Sequence, residues 1–210
     1  MKPMLLDLFC GAGGAAMGYH RAGFDVVGVD IAPQPNYPFE FHQADALEWD
    51  DWDFAAVHAS PPCQAWSRAT AWSGDRSSHP KLILPVRALL FETGLPYVIE
   101  NVQEARHDLI DPIRLCGSQF GIPVQSHRYF EIQPAIFQMM APCYHRPSDA
   151  SRDHGAKQTE SAFRAALGCE WMTVHEAREA IPPAYTEFIG EQLLAHIRPA
   201  VLAGQEGKPE

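Results

Sequence analysis

An α/β fold, with a mostly parallel sheet covered by helices on both faces, follows from two features of this sequence. Short apolar runs alternate with stretches of helical spacing through the first hundred residues, and a cluster of glycines follows the first run directly. The distinctive short sequences also fall where those runs end, which is where open α/β sheets bind their ligands.

The first run, Met4 to Phe9, reads as a buried strand; Cys10-Gly11-Ala12-Gly13-Gly14 is a turn, and Ala15 to Arg21 has helical composition. A β-rich run from Asp25 to Val29 closes on Asp30, followed by Ile31, and a weaker one from Phe39 to Gln43 precedes Asp45 and Ala46. Phe54 to Ala59 leads into Ser60-Pro61-Pro62-Cys63-Gln64, where two prolines end the strand and force an irregular loop. Helical spacing runs from Lys81 to Thr93, with Pro85 as a kink or a late start. Tyr97 to Ile99 is then a last apolar run before Glu100-Asn101-Val102. Residues 134–155, rich in Pro, Ser, Asp, His and Arg, have no period and read as a surface insertion. Helical pattern resumes at 160–167 and 174–180, and Pro182-Pro183 opens a final amphipathic helix to about Ile197, after which 204–210 should fray.

The chain has 210 residues, 46% of them apolar, enough for one core without disulfides or a structural metal. Five cysteines at scattered positions do not form a secreted disulfide framework, and no stretch reads as a signal peptide or a membrane span, so a monomeric cytoplasmic enzyme is expected. A formal net charge of −10 opposes approach to phosphates, although a local basic face can coexist with an acidic remainder.

Glycines after a buried strand let a ligand approach the backbone at a helix N-terminus. This turn lacks the GxGxxG spacing and the Lys-Ser/Thr of a phosphate loop, so a nucleotide-like cofactor without a phosphate demand fits better. Asp30 could accept from ribose hydroxyls and Asp45 from an adenine amine, though either aspartate could equally be a turn or cap residue. Cys63 sits in a proline-locked loop rather than inside an apolar run, and Glu100 ends a very apolar strand, where burial would favour a neutral, proton-donating carboxyl. Taken alone, each has a plainer reading, as a small loop thiol or a solvated strand-end carboxylate.

Together they carry more. Asp7-Leu8-Phe9-Cys10-Gly11-Ala12-Gly13-Gly14, then Ser60-Pro61-Pro62-Cys63-Gln64 with Trp66-Ser67, then Pro96 to Val102, resemble in order and spacing the cofactor, nucleophile and ENV motifs of the cytosine-C5 DNA methyltransferase family. Similar further matches are Gly74-Asp75-Arg76, Phe120 to Pro123 leading to Arg128, Thr173 with Glu176, and Ala180 to Pro183 with Phe188-Ile189-Gly190. The resemblance spans nearly the whole chain except about 134–170, and points to small, phage-type members.

The resemblance implies a Rossmann-like S-adenosylmethionine-dependent methyltransferase fold. Residues 1–133 would form the catalytic and cofactor-binding core, 134–170 a reduced target-recognition insertion, 171–200 a segment returning to the core, and 201–210 a flexible tail. It implies that S-adenosylmethionine is the cofactor and S-adenosylhomocysteine the product. Phe9 would stack on the adenine, and Cys10, Gly11, Ala12, Gly13 and Gly14 would line the methionine part. Asp30, where the family usually has Glu, would hold the ribose beside Ile31. Asp45 with Ala46 would meet the adenine, while Pro61 and Gly190 would close the pocket.

For catalysis the resemblance implies Cys63 and Pro62 in the nucleophile loop, Glu100 and Asn101 at the strand end, and Arg128 on the cytosine carbonyl of a flipped base. The family's QxRxR motif fits imperfectly: ungapped alignment puts Val124 and Ser126 before Arg128, and a shifted one puts Gln125 and His127 there.

DNA would be contacted through 65–80 and 134–170, with Arg146, Arg152, Lys157 and Arg164 and with His145 and His154 facing phosphates; a solvated loop is the competing reading, given Asp149, Asp153 and Glu160. So short an insertion supplies few base contacts, each contributing on the order of 1–3 kcal/mol of discrimination, so short or relaxed specificity is expected. Cys143, His145, His154 and Cys169 have no common zinc spacing, and no metal is expected. RNA or a free cytosine nucleotide as substrate, and a non-catalytic binding module, are the alternatives; the latter would need neither Cys63 nor Glu100.

Overall fold

In a computed structural model, residues 2–66, 78–136, 140–145, 150–151 and 159–205 are described here, without the side chains of 150–151 and 198–205. Gly74-Asp75-Arg76, Arg146, Arg152, His154 and Lys157 lie outside the described residues. Strands β1 (Met4–Leu8), β2 (Asp25–Asp30), β3 (Glu40–Gln43), β4 (Ala56–Ala59) and β5 (Tyr97–Asn101) form the parallel part of a seven-stranded sheet. Its order is β3-β2-β1-β4-β5-β8-β6, with β6 spanning Ile113–Cys116 and β8 spanning His127–Gln133. The near-continuous burial of β1, β4 and β5 is what a parallel strand covered on both faces requires.

Connections leave β1 towards β2 and β3 on one side and return to β4 on the other. The strand order therefore switches direction between β1 and β4, the place at which open α/β sheets form their ligand crevice beyond the strand ends. Helix α1 (Gly14–Ala22) leaves the glycine turn, and α2 (Ile83–Thr93) carries Pro85 in its first turn, where a missing N–H leaves no helical bond unmade. Pro85 thus marks a start and not a kink.

The last two sheet strands have no clear signal in the sequence pattern. Strand β8 runs antiparallel to both β5 and β6, so the sheet is mixed at this edge. Its Glu131 is fully buried, and both carboxylate oxygens accept from Arg87 of α2, Oε1 from Nε at 2.7 Å and Oε2 from Nη2 at 2.6 Å; the Ile110 N–H adds a third donor at 2.9 Å. Arg87→Ala would leave this carboxylate buried without its countercharge, so a loss of about 3–5 kcal/mol is expected in urea unfolding. A wild-type midpoint would contradict it.

The C-terminal helices α3 (Glu160–Leu167), α4 (Val174–Glu179) and α5 (Pro183–Gln205) follow a two-residue strand β9 (Ala150–Ser151), which pairs with β7 (Val124–Gln125). Thr173 and Glu176 make a reciprocal cap at the start of α4. Helix α5 continues past Ile197 to Gln205, beyond its expected end. It packs closely on α1: a Cβ at Gly18 would lie 2.0 Å from Thr186 Oγ1, and one at Gly190 would lie 2.8 Å from Ala22 Cβ and 3.0 Å from a Tyr19 ring carbon.

Candidate functional site

At the end of β1 the chain turns through Phe9 and Gly11, with φ of 58° and 49°, both left-handed. Phe9 is the costlier of the two, because a side chain there meets steric resistance that glycine escapes. Asp30, at the end of β2, braces this turn. Its Oδ2 accepts from the Gly11 N–H at 3.0 Å and its Oδ1 from the Ala32 N–H at 2.9 Å. Nothing lies within 4 Å of where a Gly11 Cβ would stand, so the backbone there is open to a ligand.

Gly13 and Gly14 do the opposite. A Cβ at Gly13 would press on Pro38 at 2.8 Å, and one at Gly14 would stand 2.5 Å from the Ile181 carbonyl oxygen, so these two glycines seat the turn against its surroundings. Trp171 adds an indole N–H donated to the Ala12 carbonyl at 2.9 Å, a contact that local sequence does not signal.

Ile31 is 69% exposed beside Asp30, whereas Ala46 is buried in the core next to Asp45. Asp45 Oδ1 accepts from the Leu47 N–H at 2.9 Å. Both aspartates are thus turn-makers that also stand at the crevice. Cys10 is buried, and burial pushes its thiol far up. Beneath the turn, Asp7 is fully buried; burial, then the Asp30 charge, raise its carboxyl well above the usual range.

Gly190 is placed differently from the expectation that it closes the cofactor pocket. It faces Ala22 and Tyr19 near the C-terminal end of α1, whereas the glycine turn lies at the N-terminal end, about 12 Å away at the helical rise. Its missing side chain permits helix packing.

The loop carrying Cys63 is fixed from two sides. The Asn101 side-chain amide donates to the Pro61 carbonyl at 2.9 Å, tying the loop to the end of β5. From the other side, Tyr19 OH contacts His58 Nδ1 at 2.9 Å and His58 Nε2 contacts Ser60 Oγ at 2.8 Å. His58 is wholly buried on β4, and burial depresses its pKa to about 3, so the ring is neutral and serves this chain of contacts. Neither His58 nor Tyr19 stands out in the sequence, because each lies inside an ordinary strand or helix pattern. The turn closes with the Trp66 N–H on the Cys63 carbonyl at 2.9 Å.

Glu100 is 6% exposed, and Arg128 Nε lies 3.0 Å from its Oε1 as an ion pair rather than an aligned hydrogen bond. The burial of Glu100 agrees with its place at the end of a very apolar strand, whereas the guanidinium beside it has no local sequence signal. Arg128 also donates through Nη2 to the Glu179 carbonyl at 3.4 Å. Burial raises the Cys63 thiol above its ordinary value of 9.0; the Arg128 charge opposes this, and Glu100 and then Glu179 add to it. Thiol, acid and guanidinium therefore share one electrostatic neighbourhood.

The residues before Arg128 do not join it. Val124 is in the core, Ser126 is buried with its carbonyl accepting from Tyr185 OH at 2.6 Å, and His127 turns to another cluster. Gln125 belongs to the short β7. Arg164 is not free to face phosphates, since its Nη1 donates to the Met172 carbonyl at 2.7 Å and the Glu170 carbonyl at 3.2 Å.

A family model for the C-5 cytosine-specific DNA methylase matches residues 4–109. Among solved structures, the chain is 26% identical to a protein described as a DNA modification methyltransferase encoded within an E. coli prophage, over 62% of this chain and 46% of that one, with a TM-score of 0.49. The chain thus spans about half the length of that protein. The Entamoeba histolytica methyltransferase EhMeth matches at 13% identity with a TM-score of 0.64, and the S. pombe Dnmt2 methyltransferase at 14% with 0.61. Each covers 94% of this chain and 99% of the other. The fold is the Rossmann-like fold of S-adenosylmethionine-dependent methyltransferases. No curated protein sequence gives a significant match. Among the described residues, no helix is long and apolar enough to cross a membrane.

Proposed function

This chain belongs to the C-5 cytosine-specific DNA methylase family, and on that footing we propose that it methylates C5 of a cytosine flipped out of DNA, with Cys63 as nucleophile. The carrying observation is the joining of the Cys63 loop, through Asn101 and Pro61, to the strand end where Glu100 meets Arg128. A binding module has no need of a thiol and an acid held at one crevice.

The crevice fits a nucleoside cofactor. Gly11 leaves its backbone open and Asp30 presents a carboxylate beside it; in this reading Phe9, Ile31 and Asp45 meet base and ribose, and Cys10, Ala12, Gly13, Gly14, Ala46 and Pro61 line the remainder. S-adenosylmethionine, when bound there, supplies an electrophilic methyl group. The chain supplies the rest. Cytosine C5 is a poor nucleophile until the Cys63 thiolate adds to C6 and makes C5 enamine-like. Glu100 hydrogen-bonds ring N3 and the exocyclic amine as charge develops, and Arg128, held by Glu100, meets the ring carbonyl. Once C5 carries the methyl group, its proton passes to water while the C6–S bond breaks, which restores the aromatic ring and frees the Cys63 thiolate. Pro62 stiffens the loop that aims the sulfur.

DNA carrying 5-fluorocytosine tests the reading directly, because fluorine at C5 blocks the last elimination. Incubated with the cofactor, the protein is expected to form a denaturation-resistant adduct whose peptide mass maps to Cys63. No adduct on duplex DNA, with tritiated methyl appearing instead in RNA or dCMP, would move the substrate. Bisulfite sequencing should show short or relaxed specificity through 65–80 and 134–170; a single long motif would contradict that.

A further inference from the structure

The structure assembles a set of side chains that local spacing hides. Cys116 ends β6 and His127 opens β8, and the two are cross-strand partners in the antiparallel ladder. Cys143 and His145 reach them from the start of the insertion, and the four donor atoms all lie within 4.8 Å of one another. Cys116 Sγ is 3.1 Å from His145 Nε2, the two Nε2 atoms of His127 and His145 are 3.2 Å apart, and Cys143 Sγ is 3.7 Å from His127 Nε2. Around a tetrahedral zinc with bonds of about 2.0–2.3 Å, donors stand about 3.3–3.8 Å apart. Cys169, by contrast, packs in an apolar cluster with Phe163 and Met172, away from this group.

We propose that Cys116, His127, Cys143 and His145 form a structural zinc site that clamps the start of the insertion to the sheet edge beside Arg128. Two thiolates and two imidazoles, at the geometry above, suit a closed tetrahedral site. The scaffold around it is independently braced. Gln119 accepts from the Cys116 N–H at 2.8 Å and donates to the Ala141 carbonyl at 2.8 Å, and the Tyr144 N–H donates to Ser118 Oγ at 3.1 Å. These bonds hold the two-residue reach of Cys143 and His145 against β6 and β8 before any ion arrives. Thiolate and neutral imidazole are the ligand forms, so protons compete with the ion and affinity falls at low pH. The site also fixes His127, the residue next to Arg128, and thereby joins the recognition segment to the catalytic edge.

Zinc analysis of protein purified under reducing conditions is the test, and it needs no DNA, so it stands apart from the proposed activity. One zinc per chain is expected after dialysis, falling to background in Cys143→Ser and His145→Ala and retained in His154→Ala. Cobalt added to zinc-stripped wild type should give the visible bands of a tetrahedral site with thiolate ligands. If the variants fail to fold, the wild-type cobalt spectrum decides. Protein without stoichiometric zinc and without such a spectrum overturns the proposal, as does a Cys116–Cys143 disulfide in freshly prepared, metal-free protein. Zinc that survives in Cys143→Ser and His145→Ala would equally overturn this ligand set.

Discussion

Cys63→Ala is expected to abolish methyl transfer, by about four orders of magnitude or more, while binding of S-adenosylmethionine stays near wild type. The asymmetry follows from placement. The glycine turn is braced by Asp30, Ile181 and Trp171, none of which needs the sulfur, whereas ring activation in the proposed mechanism rests on the Cys63 thiolate. Calorimetry for the cofactor and single-turnover transfer to DNA separate the two effects. Substantial turnover by the variant would remove the thiol from the mechanism.

Glu100→Gln should lower transfer by about 10²–10⁴-fold, and its pH profile tells more than its rate. In the wild type, burial holds the Cys63 thiol above its ordinary 9.0, so the neutral form dominates near neutral pH and the single-turnover rate should climb with pH through the neutral range. Removing the Glu100 charge takes away one influence that raises the thiol, so the residual rate of Glu100→Gln should reach its plateau at lower pH. Arg128→Ala removes the opposing influence and should shift the plateau upward. Identical profiles in all three proteins would mean that the ionisation of Cys63 does not limit the step.

What the sequence reveals here is whatever is written contiguously. The run into Cys10-Gly11-Ala12-Gly13-Gly14, the Pro-Pro-Cys loop and the strand ending at Glu100 each declare strand, turn and chemistry within a dozen residues, and the structure puts them on one sheet edge. The mixed edge was hidden because β8 has no clean alternation, its His127, Arg128 and Glu131 being polar residues that find partners far along the chain. A glycine at a helix–helix contact and one near a ligand look alike in sequence, and the contact with Ala22 and Tyr19 at Gly190 is legible only in the fold. The four-donor cluster was invisible for a related reason: Cys116 and His127 meet only through strand pairing, and Cys143 and His145 join them from beyond β8. Nothing in the spacing of five scattered cysteines conveys that.

The close seating of α5 on α1 has a consequence for how the protein is made. Gly18 and Gly190 admit α5 against α1, and Thr186 bonds the Ala15 carbonyl at 2.9 Å, so one face of α1 finds its cover among residues translated well after it. On the ribosome, a nascent chain halted before residue 183 would display Tyr19 and its apolar neighbours to solvent. Such an intermediate is sticky, and its maturation depends on a contact with a sequence separation of 171 residues, which favours slow closure and makes the nascent chain a natural client for chaperones.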